Sequence, residues 1–186
     1  ERREINKILL AFTQLLRPEI PELLKAWNLL GLLDFIRAKA LLSNEYKCVI
    51  PEINDEPMFL WRQARHPLLE QKLKSQDKHI TPLDLSLDKD NRILVISGPN
   101  AGGKSVCLKT IGLVQYMLQC GLAVPMEIDS KCGIFHDMFI DIGDSQSLEN
   151  DLSTYSSHLL NMKELISHAN KRSLFSFRSK SLPAHT

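Results

Sequence analysis

Residues 92–105 read RILVISGPNAGGKS, an apolar run that breaks into glycine and ends on Lys104 and Ser105. No other stretch constrains the fold as strongly. A short run of β-branched and apolar residues bounded by a turn is the pattern of a buried parallel strand. The residues that follow, SVCLKTIGLVQYMLQCG, predict a helix stopped by Gly121. A strand that passes through a glycine turn into a helix aims unpartnered backbone N–H groups at one point. The helix start adds partial positive charge there, and Gly98, Gly102 and Gly103 let the backbone wrap an anion closely. Lys104 then adds a full charge at the β- and γ-phosphates of a nucleotide, and the Ser105 hydroxyl serves Mg2+. The candidate nucleotide site is therefore Gly98, Pro99, Asn100, Ala101, Gly102, Gly103, Lys104 and Ser105, with ATP and Mg2+ as the expected cofactors. Asn100 either touches the nucleotide or caps its own loop.

The chain around the loop supports an α/β fold. Ile5, Ile8, Leu9, Phe12, Leu15 and Leu16 fall on one face of a first helix. Pro21 suits the first turn of a second helix, expected to run to Asn44. No chemistry is visible on either helix, which read as packing or connecting elements. Pro51, Asn54, Asp55 and Pro57 mark a linker and a domain boundary. MFLWRQARHPLLE then predicts a strand, a turn at His66-Pro67 and a helix start. CGIFHDMFIDIG offers further strand material, and a helix is expected from Ser153 to His168. Strands alternating with helices imply a mostly parallel sheet.

Composition bounds the function. A net charge of +1 over 186 residues means that any nucleic-acid contact needs a local patch. Cys48, Cys107, Cys120 and Cys132 have no zinc or redox spacing and read as reduced thiols of a cytoplasmic protein. The six histidines show no metal-ligand spacing. No apolar run is long enough to cross a bilayer, so no membrane partner is expected. The first residues, ERREINKILL, have no signal-peptide shape and no initiator methionine, and read as the interior of a longer protein.

Phosphate loops serve many chemistries, so the interior of this one matters. Its Pro-Asn after the first glycine and its double glycine before the lysine resemble the MutS family of DNA-repair ATPases, of the ABC-like group of P-loop NTPases. DIGDSQSLENDLSTYSSH at 141–158, RHPLLE at 65–70 and GLAVP at 121–125 fit the same family. LKTIGL, QCGLAVP and the 141–158 stretch resemble its second bacterial branch, in which a nuclease-like C-terminal domain is often appended. The resemblance covers about residues 1–175. It implies a helical lever segment over 1–50 and the front part of a P-loop ATPase domain over 58–175. It also implies a DNA-binding, nucleotide-gated homodimer in the whole protein, acting in repair or in control of recombination. By that resemblance Ser153, otherwise an ordinary helix cap, reaches the γ-phosphate held by the other subunit. Gln146 sits on the metal side, or is a solvated turn residue. His79 and Ile80 lie where the adenine would stack, and His66 has a structural use beside the ATPase core.

The chain departs from the family at one place. An apolar strand should end in Asp, for Mg2+, then Glu, to polarise water. It begins at Ser173-Leu174-Phe175, but no Asp or Glu occurs after Glu164. Residues 176–186, beginning SFRSKS, read as a tail foreign to the family. No catalytic residue is assigned, and the chain alone is expected to be inactive as an ATPase. Other readings are an ABC-type nucleotide-binding subunit, weakened by NDLSTYSS where a glycine-rich signature belongs, a small-molecule kinase, and a relict, non-catalytic fragment.

Overall fold

The computed structural model describes residues 1–97, 103–141, 163, 167 and 169–177. Of the sites expected from the sequence, Gly98–Gly102, Gln146 and Ser153 lie outside these residues, as does 178–186. The chain divides into two compact units, Glu1–Leu42 and Ser43–Thr186.

The first unit is helical. Helix α1 spans Arg2–Leu16, a single 3-10 turn spans Arg17–Glu19, and α2 spans Ile20–Glu45 with Pro21 in its first turn. Both helices arise where the apolar periodicity places them, yet neither contains a buried residue. Phe12, Leu15, Trp27 and Leu30 all stand mostly in solvent.

The second unit is built on a four-stranded sheet of order β1-β4-β2-β3. Its strands are β1 (Glu52–Asn54), β2 (Phe59–Ala64), β3 (Leu83–Leu87) and β4 (Lys131–Gly133). Helix α3 (Pro67–Lys74) follows β2, and α4 (Lys104–Gln119) covers the core. A separate parallel pair joins β5 (Asp137–Asp141) to β6 (Ser173–Phe177), so the apolar strand expected at 173 is present. Lys163 and Ser167, within the helix expected over 153–168, are helical.

Two expectations are corrected. The four-stranded sheet is mixed, not mostly parallel: β1 and β4 run parallel, whereas β2 is antiparallel to both β3 and β4. The reason is legible in LDLSL, where leucines alternate with Asp84 and Ser86 and only Leu85 is buried. Such alternation suits an antiparallel strand with one wet face, whereas parallel strands are apolar on both. The second correction concerns RILVIS. Residues 91–97 carry no regular structure, and Ile93 and Val95 are 84% and 82% exposed. A parallel strand owes its stability to neighbours on each side, and among the described residues no strand pairs with this segment. The turn leading into it is nevertheless formed. The Asp88 carboxylate accepts the N–H groups of Asp90 and Asn91, which holds its pKa below the ordinary value.

The core lies between α4 and the sheet. Ile111, Val114, Met117 and Leu118 on α4 belong to one cluster with Phe59, Trp61, Val124, Met126, Cys132 and Phe135. Phe59 meets Trp61 edge-on at 4.9 Å and stacks on Phe135 at 5.0 Å. Two glutamines one turn apart lace α4 to the end of β4 and the chain just after it. Buried Gln115 donates to the Gly133 carbonyl, and Gln119 exchanges hydrogen bonds with the backbone of Phe135. Gly121 ends the helix in the left-handed region, at φ 72°, as its position predicts.

Candidate functional site

The site expected from the sequence is described from Gly103 onward. Gly103 is the N-cap of α4 and adopts φ 81°, a left-handed conformation that favours glycine. It offers no side chain to cap the helix, and the N–H groups of a helix's first turn find no partner within the helix itself. The intrahelical ladder begins only at Cys107, whose N–H donates to the Gly103 carbonyl at 2.9 Å. Lys104 and Ser105 are half-buried at this end. The donor set of the first turn, with one ammonium and one hydroxyl beside it, fits a phosphate. Among the described residues no group of three or more His, Cys, Asp or Glu is placed to hold a metal.

His79 and Ile80 lie in the link between α3 and β3, His79 exposed and Ile80 half-buried. No hydrogen bond or ion pair among the described residues brings them to Gly103–Ser105.

The RHPLLE stretch forms a clamp at the start of α3. Pro67 occupies the first helical position, where a missing N–H costs nothing. His66 is the N-cap, and its Nδ1 accepts the Leu69 N–H at 3.3 Å. That acceptor role requires a neutral ring nitrogen. Burial, with a smaller contribution from the Lys109 charge, lowers the His66 pKa below its ordinary value, whereas its backbone hydrogen bond acts the other way. Arg65 pairs with Glu70 at 3.2 Å and donates to the carbonyls of Tyr46 and Lys47. Glu70 also meets Lys74 at 3.2 Å. The structural use expected of His66 thus has a concrete form: it caps α3, and its neighbour Arg65 ties α3 to the turn at Tyr46 and Lys47.

A cavity of about 360 Å3 opens between α3, α4 and β5. It is lined by His66 and Leu68, by Lys109, Gly112, Leu113 and Tyr116, and by Ile140. The α4 residues have the spacing i, i+3, i+4, i+7, one stripe of the helix. That stripe was legible in the sequence, but the eye follows the apolar residues of α4 to its buried face.

Residues 94–177 match MutS domain V. The chain is 43% identical over 177 residues to the "Endonuclease MutS2" of Enterococcus faecalis, covering 95% of this chain and 22% of that protein. Identity and coverage are the same for the protein of that name from Acetivibrio thermocellus. Against the one from Ligilactobacillus salivarius identity is 44% over 177 residues, with the same coverage. The chain therefore spans about a fifth of the length of the curated relatives it matches.

Proposed function

We infer from the chain's membership of the MutS family, on its MutS2-type branch, that it carries the nucleotide-binding part of an ATPase acting in DNA repair or recombination. The observation that supports this most is the start of α4, a left-handed Gly103 followed by Lys104 and Ser105 at the end of the sequence GPNAGG. ATP, when bound, would bring the phosphate charge and the Mg2+ that such a helix start can accept. The chain's part is to bind and orient. First-turn N–H groups donate to the phosphate oxygens, the Lys104 ammonium offsets their charge, and the Ser105 hydroxyl offers one oxygen to Mg2+. His79 and Ile80 offer a surface to the adenine, Gln146 a polar group on the metal side, and Ser153 a hydroxyl to the nucleotide of a second copy in the parent homodimer. DNA is engaged by that dimer, through parts mostly outside this chain. No acid follows Glu164 to orient water or to anchor the metal from the far side, so the chain binds without turning over.

Titration of the full chain with a fluorescent ATP analogue tests this. Lys104→Ala removes the one full charge aimed at the phosphates, and affinity should fall at least tenfold, about 1.4 kcal/mol. Phosphate release should stay at background in both proteins. An unchanged affinity in the folded variant would overturn the nucleotide assignment, and turnover that vanishes on Lys104→Ala would overturn the claim of inactivity.

A further inference from the structure

The cavity beside α3 has a chemistry that the nucleotide reading does not use. Its floor is closed where Ile140 fills the space that a side chain at position 112 would need. Its outer walls are Leu68 and Tyr116, which are 61% and 62% exposed. Large apolar side chains held that far into solvent around one concavity mark a surface that another group covers. Two polar groups of the lining, Lys109 and His66, are cationic or donating. Lys109 is exposed, and no carboxylate pairs with it among the described residues. His66 spends its Nδ1 on the Leu69 N–H, so a neutral ring carries its proton on Nε2 and can only donate there. Among the described residues no carboxylate lines the cavity, and the nearby Glu70 is already shared between Arg65 and Lys74.

We propose that this groove docks an acidic amphipathic helix of a partner protein, whose apolar side chains enter between Leu68, Leu113 and Tyr116 and whose carboxylate pairs with Lys109. A small ligand fits less well. Tight small-molecule sites bury most of their ligand, and this one is open along two exposed walls. A helix laid in a groove uses such walls, and the stripe 109, 112, 113, 116 offers it contacts spaced by one turn. The exposed Lys109 ammonium, which no described carboxylate pairs, favours an acidic partner over a basic one.

A phage-displayed library of random helical peptides, selected on the full 186-residue chain, tests this. Enriched peptides are then titrated by fluorescence anisotropy against the wild type, Lys109→Glu and Tyr116→Ala. Both substituted side chains stand in solvent, and circular dichroism checks that the variants fold. The expected winners carry Asp or Glu beside apolar residues one turn apart. Each substitution should weaken them about tenfold or more, and a Glu→Lys version of the peptide should recover binding to Lys109→Glu. No enrichment, winners without acidic residues, or affinities indifferent to both substitutions would each overturn the proposal. So would self-association of the chain abolished by Tyr116→Ala, which would make a second copy the occupant. Binding of 4-phenylbutyrate with no peptide binding would overturn it in favour of a small ligand.

Discussion

At the scale of single residues, two glycines show how the same change can differ in cost. A Cβ on Gly133 would meet the backbone of Met58, Glu56 and Pro57, where β4 passes the start of β2. Backbone cannot rotate away, and Gly133 also accepts Gln115 and donates to Met58. Gly133→Ala should therefore cost about 3 kcal/mol or more. A Cβ on Gly112 would meet the Ile140 Cδ1, the free end of a flexible side chain. Rotation of Ile140, together with about 1 kcal/mol of helix propensity gained at a helix interior, should keep Gly112→Ala within about 1 kcal/mol of the wild type. Urea denaturation of the two variants checks the order, and equal midpoints would show that the β4 contact is slack.

At the scale of elements, α3 is held by a cap that titrates. The His66 pKa is lowered in the folded chain, so the folded state binds fewer protons than the unfolded state around that pKa. The contribution is therefore present above the ordinary histidine value of about 6.5, and is lost as pH falls through the lowered folded value. Protonated Nδ1 cannot accept the Leu69 N–H, and losing a cap of this kind costs about 1 kcal/mol. Stability should thus fall as pH drops below about 6.5 toward the lowered folded value, and His66→Asn, which caps without titrating, should flatten that fall. A second element-scale expectation separates the segment before the loop from β2. Ile93 is exposed and unpaired, whereas Trp61 is fully buried at the centre of the core. Ile93→Asp should change stability by less than about 0.5 kcal/mol and Trp61→Ala should cost about 3–5 kcal/mol, as measured by thermal melting. A large loss at Ile93 would mean that the RILVIS strand forms in solution after all.

At the scale of the whole molecule, stability is unevenly placed. Helices α1 and α2 hold no buried residue of their own, and the core cluster lies within Ser43–Thr186. Deleting residues 1–42 should leave the melting temperature of the remainder nearly unchanged. It should also reduce self-association, because α1 and α2 carry a long series of solvent-facing Leu, Ile, Phe and Trp side chains. Calorimetry and light scattering of the two chains test both halves of that statement. A large drop in melting temperature would show that α2 stabilises the sheet unit.

What the sequence determined by itself is local and chemical. The periodicities of α1, α2 and α4, the Pro67 start of α3, the stop at Gly121 and the strand at Ser173 all follow from side-chain spacing and backbone rules that act within a few residues. The family is equally local, since GPNAGGKS and its flanks carry it without any coordinates. Pairing is not local. RILVIS has the composition of a buried strand, but a strand exists only against its neighbours, and among the described residues none meets it. The antiparallel join of β2 to β3 depends likewise on which edges meet, although the alternation in LDLSL was there to read. The groove of His66, Lys109 and Tyr116 appears only when α3, α4 and β5 are brought together, because its charge and its walls come from segments far apart in the chain.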